Sequence, residues 1–247
     1  MKEYTEIHSK IISPQNLEIH LINGKREYSK EINQKITSYW KEVKKKNDKI
    51  FNGKVFSYIN SHIKGENIII TIMETDFMAY TGTNLNPHFD GTDDEMANVL
   101  GITVILHTSD DKFLMGKRSK LVSEGQNMWH TIGGNLDSTD ISGNMLRELE
   151  EEVNITADTI ERFLIIGLVK NCRSHRLEML FYAKTSLTSY DIEKKMPTSI
   201  DAFEHTEMRF FTEDEFYNLQ FLNEITFTAK AIIKLFFEKN ETITGAK

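Results

Sequence analysis

The chain has one cysteine, three prolines and no long apolar run among its 247 residues. A single thiol, Cys172, cannot close an internal disulfide, so a disulfide-stapled scaffold is excluded and a reducing, cytoplasmic setting is expected. With three Pro and 13 Gly, neither a collagen-like repeat nor a Pro/Gly-rich disordered chain can be built. Apolar runs such as Phe163 to Val169 fall far short of the roughly 20 residues that cross a bilayer, so no membrane partner is expected. No apolar segment follows the charged residues at the start, and no signal peptide is expected. Positive charge is also scarce: 30 Lys and Arg against 37 Asp and Glu give a net charge of −7. That balance disfavours sequence-independent binding to nucleic acid. It leaves room for a small phosphorylated ligand if a divalent cation supplies the positive charge.

Hydrophobic residues, at 39%, suffice for a globular core, and their spacing outlines its elements. Ser29 is placed to cap a helix to about Lys46, with Ile32, Ile36, Tyr39 or Trp40, and Val43 on one face. Lys44, Lys45 and Lys46 then fall in its last turn, where cations complement the helix dipole. Val55 to Ile63 and Ile68 to Met73 flank Gly65 as a hairpin. Pro87 to Glu95 is the most loop-like stretch and sets the expected boundary between an N-terminal α+β region, 1–95, and a second domain, 96–247. Its His88, Asp90, Asp93 and Asp94 read as a solvated connector rather than a metal site. Asn98 to His107 is nearly all apolar, as in a strand buried on both faces. Further strands are expected at Lys112 to Lys117, Met128 to Ile132, Phe163 to Val169, Leu177 to Ala183 and Glu207 to Phe211. Helices are expected at Ile141 to Val153, Ser189 to Met196 and Thr226 to Glu238. Mixed strands with helices packed on them define an α/β or α+β fold.

Chemistry concentrates between Gly133 and Ile155. Glu148, Glu151 and Glu152 stand at i, i+3 and i+4 and share one helical face. Like charges at that spacing cost a few tenths of a kcal/mol per pair in an isolated helix. The cost is tolerated on a wet surface, or is useful where a hard cation collects the oxygens beside substrate phosphates. Gly133-Gly134 is expected to make a tight turn that lets backbone approach the ion or the phosphates.

This segment resembles the Nudix box, G-x5-E-x7-R-E-U-x-E-E-x-G-U with U a bulky aliphatic residue. Gly134 matches the opening glycine, and Arg147-Glu148-Leu149-x-Glu151-Glu152 matches the core. Asp140 stands in place of the first Glu, the gap after it is six residues rather than seven, and Asn154 replaces the late glycine. Asn tolerates left-handed backbone and can still end the helix there. Segments outside the box, including Thr75 to Asn84, Phe181-Tyr182, Ala202 to Thr206 and Ala229 to Ile233, are similar to a divergent animal branch of the family that hydrolyses UDP-glucose.

The resemblance implies a Nudix α/β/α sandwich with an N-terminal α+β extension. It implies Mg²⁺, or Mn²⁺ in its place, held by Glu148, Glu151 and Glu152, with Arg147 bracing the carboxylates and Gly133 and Gly134 lining the substrate. The implied substrate is a small-molecule nucleotide, first a UDP-sugar cleaved to UMP and sugar 1-phosphate. ADP-ribose, dinucleotides or coenzyme A are the alternatives, as is nucleotide-sugar binding without turnover. Lys117 and Arg118 are candidates to hold phosphate, or are simply a charged strand end. Asn84 is expected to reach the sugar or base. A further catalytic Glu outside the box is expected at Glu204. The competing position, Glu178, reads as an outward residue on an alternating strand. Cys172 with His175 nearby lacks an orienting partner for thiol catalysis. The oligomeric state is not encoded in any feature of the chain.

Overall fold

The computed structural model describes residues 3–198 and 204–245. Its large sheet has the strand order β1-β9-β10-β5-β6-β11, with two short strands, β8 on β5 and β7 on β6. These are β1 (Tyr4–His8), β5 (Leu100–His107), β6 (Phe113–Arg118), β7 (Trp129–His130), β8 (Ile132–Asn135), β9 (Ile160–Asn171), β10 (Leu177–Thr185) and β11 (His205–Phe211). Only β10 and β5 run parallel within it. A second sheet of three strands, β2 (Leu17–Lys25), β4 (Asn67–Asp76) and β3 (Lys54–Lys64), comes from the N-terminal region.

Strand β5 shows why the core forms two layers. Ile102, Val104 and Leu106 join one apolar cluster, Ile105 points into the other, and every residue of the strand is buried. On the first side, helix α3 (Ile141–Val153) inserts Met145, Leu149 and Val153. Burial of such side chains contributes about 2 kcal/mol each. On the second side lie α5 (Glu213–Leu219) and α6 (Phe227–Glu238), which supply Phe216, Ile232, Ile233 and Phe236. Helix, sheet and helix thus make the α/β/α sandwich.

Ser29 caps α1 (Lys30–Lys46) by accepting from the Ile32 amide, as its sequence requires, and β3 and β4 form the expected hairpin. Two features cross the boundary expected at residue 95. β1 pairs with β9 inside the large sheet, and Phe56, Ile68, Ile70 and Ile72 enter the same cluster as Met145 and Leu149. Two acids of the connector are ion-paired: Asp90 with Lys35, and Asp93 with Lys170 and His175. Helix α2 (Phe77–Thr83), capped by Asp76, and α5 were not apparent in the sequence. Two more short helices are α4 (Ser189–Lys195) and α7 (Asn240–Thr244).

Candidate active site

Helix α3 begins and ends on the two residues that depart from the box. The Asp140 side chain accepts from the Gly143 amide at 2.9 Å, an N-cap worth about 1 kcal/mol. A cap placed directly before Ile141 explains how the shortened gap is absorbed. At the other end Asn154 takes left-handed geometry, φ 55° and ψ 43°, and its amide closes on Glu150. The helix therefore terminates where a glycine would have ended it.

Gly133 and Gly134 do not form a turn. Both lie within β8, paired with Thr103 and Ile102, and neither has positive φ. Here space decides the residue type. A Cβ on Gly133 would stand 2.2 Å from the Ile102 carbonyl oxygen, and one on Gly134 would stand 2.6 Å from the Glu148 carboxylate. The strand can thus run directly beneath the acidic face of α3.

Each acid of that face has its own contacts. Glu152 is buried; it accepts from the Gly133 amide at 3.1 Å and pairs with His205 Nε2 at 2.5 Å. Burial, then the Arg118 charge, pushes His205 down to about 4, so the ring is neutral and its Nε2–H donates to the Glu152 carboxylate. Glu151 lies 3.6 Å from Arg147, whose guanidinium also donates to Asp137 at 2.7 Å. Glu148 accepts from the Asn144 amide group at 3.3 Å. Its carboxyl is pushed up to about 8 by burial first, then by the charges of Glu152, Glu151 and Glu204. Glu204 thus joins the box carboxylates, while its backbone oxygen receives the Ser119 amide at 2.7 Å.

Among the described residues, no three His, Cys, Asp or Glu side chains are drawn together as a ready-made metal cluster. The donor set nonetheless suits a hard divalent cation. After burial, the charges of Glu152, Glu151 and Glu204 all raise the Glu148 carboxyl, and this repulsion is what such an ion would relieve.

Glu178 is not outward-facing, contrary to the alternating-strand expectation. It is 3% exposed and pairs with Arg176 Nε at 2.8 Å, and burial outweighs this partner to push the carboxyl up to about 7. Gly101, opposite it on β5, leaves the room for both side chains. Arg176 also donates to Glu124 at 2.9 Å and to the Gly134 carbonyl at 3.2 Å. Tyr80, from α2, completes this network by donating to Glu124 at 2.5 Å. The N-terminal region therefore meets the glycine strand through Tyr80 rather than Asn84. Asn84 is buried and fully occupied: its Nδ2 donates to the Ser174 carbonyl, and its Oδ1 accepts from the Asn98 amide and the Thr83 hydroxyl. Its role is to clamp α2 against the loops at Asn98 and Ser174, and the expected contact with sugar or base is withdrawn.

The two basic candidates separate. Lys117 Nζ lies 5.9 Å from the Trp129 ring centroid. Arg118 donates from Nε to the Glu124 carbonyl at 2.9 Å, and its charge is felt by His130, Glu178 and His205. Arg118 is therefore the cation of the pair that adjoins both the buried network and the Glu152 anchor. An Arg just before β10 and a Glu two residues on within it, Arg176 and Glu178, were the sequence signal for this network. For Glu124 and His205, the sequence offers no comparable sign of their roles.

A NUDIX domain family model matches residues 97–234, more than half of the chain. Nudix hydrolase 9 of Arabidopsis thaliana is 24% identical over 223 residues, spanning 73% of this chain and 72% of that protein. The Homo sapiens uridine diphosphate glucose pyrophosphatase NUDT22 is 24% identical over 255 residues, spanning 85% of this chain and 83% of that protein. A cocrystal structure of the NUDIX domain of Shewanella oneidensis NrtR with ADP ribose is 15% identical, covering 61% of this chain and 94% of its own, at a TM-score of 0.45. With the box on α3, the glycine strand beneath it and the family model in agreement, this chain belongs to the NUDIX domain family.

Proposed function

We propose that this Nudix pyrophosphohydrolase cleaves a UDP-sugar, UDP-glucose or UDP-galactose, to UMP and sugar 1-phosphate. The observation that carries this reading is the extent of similarity to the human UDP-glucose pyrophosphatase. It spans 85% of the chain and so reaches beyond residues 97–234 into the N-terminal region. The Tyr80 contact supports it, because it brings that region to the glycine strand.

Glu148, Glu151 and Glu152 would hold Mg²⁺, which when bound neutralises charge developing on the phosphates. Arg147 keeps the Glu151 carboxylate oriented, and His205 fixes Glu152 through Nε2–H. Glu204, on the loop before β11, accepts the proton of the attacking water. Arg118, held at Nε, would offer its remaining guanidinium nitrogens to a phosphate oxygen of the substrate. Attack at phosphorus breaks the anhydride bond and releases the two monophosphates.

The test is a panel of UDP-glucose, UDP-galactose, ADP-ribose and dinucleoside polyphosphates with Mg²⁺, with products separated by chromatography. UMP and glucose 1-phosphate should form with the highest kcat/KM. A higher kcat/KM for ADP-ribose would reject the proposed substrate.

A further inference from the structure

The network joining the N-terminal region to the glycine strand presents one carboxylate oxygen in a fixed direction. Tyr80 and Arg176 both donate to the same oxygen of Glu124, Oε2, at 2.5 and 2.9 Å. Burial, and next the Glu124 charge, hold the Tyr80 hydroxyl well above its usual range, so it stays a donor. Arg176 is anchored on its far side by Glu178 and the Gly134 carbonyl, and its guanidinium lies over the Tyr80 ring at 5.7 Å. Glu124 Oε1 has no hydrogen-bond partner among the described residues, and the side chain keeps 26% of its exposure. Arg176 links this carboxylate to the Gly134 carbonyl, and the Glu148 carboxyl packs on Gly134.

A carboxylate oxygen held this way accepts hydrogen bonds and repels phosphate. It therefore suits the hydroxyl-bearing end of a substrate whose phosphates lie against the α3 carboxylates and Arg118. We infer that Glu124 is a specificity-determining residue that accepts a hydrogen bond from a sugar hydroxyl of the nucleotide sugar, with Tyr80 and Arg176 as its positioning residues. This rests on the reading of the chain as a UDP-sugar hydrolase. It also gives the N-terminal region a role in the reaction, since Tyr80 aims the acceptor.

The structure dictates what Glu124→Gln would do. Two donors occupy the Oε2 position, so the amide oxygen must sit there and the NH₂ group must take the outer position, replacing an acceptor with a donor. The readout is the ratio of kcat/KM for UDP-glucose to that for the methyl ester of UDP, which lacks the sugar, using the full chain with Mg²⁺. Glu124→Gln should lower this ratio about 10- to 100-fold, the range for a hydrogen bond to a charged acceptor. Tyr80→Phe should lower it less. A second measurement needs no variant: among the 2-, 3-, 4- and 6-deoxy forms of UDP-glucose, at least one should lose about 10-fold or more in kcat/KM on the wild type. An unchanged ratio in Glu124→Gln, or equal turnover of all four deoxy substrates, overturns the inference while leaving the UDP-sugar reading intact. Failure of the wild type to cleave both UDP-glucose and UDP-galactose overturns that reading and the inference with it.

Discussion

Glu148→Gln tests the electrostatic description of the acidic face without any substrate. The folded protein holds this carboxyl up at about 8, against 4.5 for an ordinary Glu. A group raised in the folded state binds more protons there than in the unfolded chain, so its contribution falls as pH rises from 4.5 to about 8. At 1.36 kcal/mol per pH unit the full shift is about 5 kcal/mol, and relaxation around a half-buried carboxyl reduces this to about 2–3 kcal/mol. Gln keeps the shape and the Asn144 contact but cannot ionise. In EDTA, Glu148→Gln should therefore match the wild type near pH 5 and become more stable as pH rises, levelling off above pH 8. At about 2–4 °C per kcal/mol the gain in melting temperature is about 4–12 °C, measured by calorimetry across pH 5 to 9. Turnover should fall in the same variant. A stability difference that stays flat with pH, or that turns against Gln at high pH, would refute the crowding of Glu148 by its neighbours.

Glu151→Gln and Glu152→Gln should each lower kcat by at least about 10²-fold in steady-state assays, with the melting temperature showing that the fold persists. Glu204→Gln should cut kcat about 10²-fold with KM little changed, whereas Glu178→Gln should chiefly lower the melting temperature, by removing a charge that neutralises buried Arg176. Loss of turnover only in Glu178→Gln would move the general base to that strand. Gly133→Ala should destabilise by several kcal/mol in urea titrations, because its Cβ would meet the Ile102 carbonyl at 2.2 Å and backbone must move.

Legibility in the sequence followed the range of the interactions. Local signals were readable: Ser29 as a cap, the apolar run of β5, and the i, i+3, i+4 acids of α3 each depend on near neighbours. Asn154 in left-handed geometry belongs with them, since helix termination is settled within one turn. The glycine pair was misread because a tight turn and a close approach both favour glycine, and only Ile102 across the sheet and Glu148 on α3 show that closeness is the reason. Glu178 was misread for the same cause: alternation places a side chain on a face, but what covers that face comes from Arg176, Glu124 and Tyr80, far apart in the chain. Asn84 lay in a stretch of family resemblance, which carried no information about whether its amide was already spent inside the fold.

The same distinction bears on how the acidic face and the N-terminal region work together. Three of the four carboxylates of the acidic face, Glu148, Glu151 and Glu152, come from α3 itself, and the short-range pattern accounts for their presence. What orients them comes from elsewhere: His205 from β11 fixes Glu152, and the β8 amide of Gly133 takes its other oxygen. On the far side of the glycine strand, Arg176 ties the Gly134 carbonyl to Glu124 and so to Tyr80 of α2. Strand β8 is therefore gripped by the Glu152 carboxylate through an amide and by Arg176 through a carbonyl, one residue apart. A shift of α2 would be transmitted to Gly134 through three charge-assisted hydrogen bonds, and Gly134 is in contact with Glu148. The N-terminal residues thus bear on the geometry of the carboxylates as well as on the space beside them, which is why the chain's similarity beyond the family model matters to its chemistry.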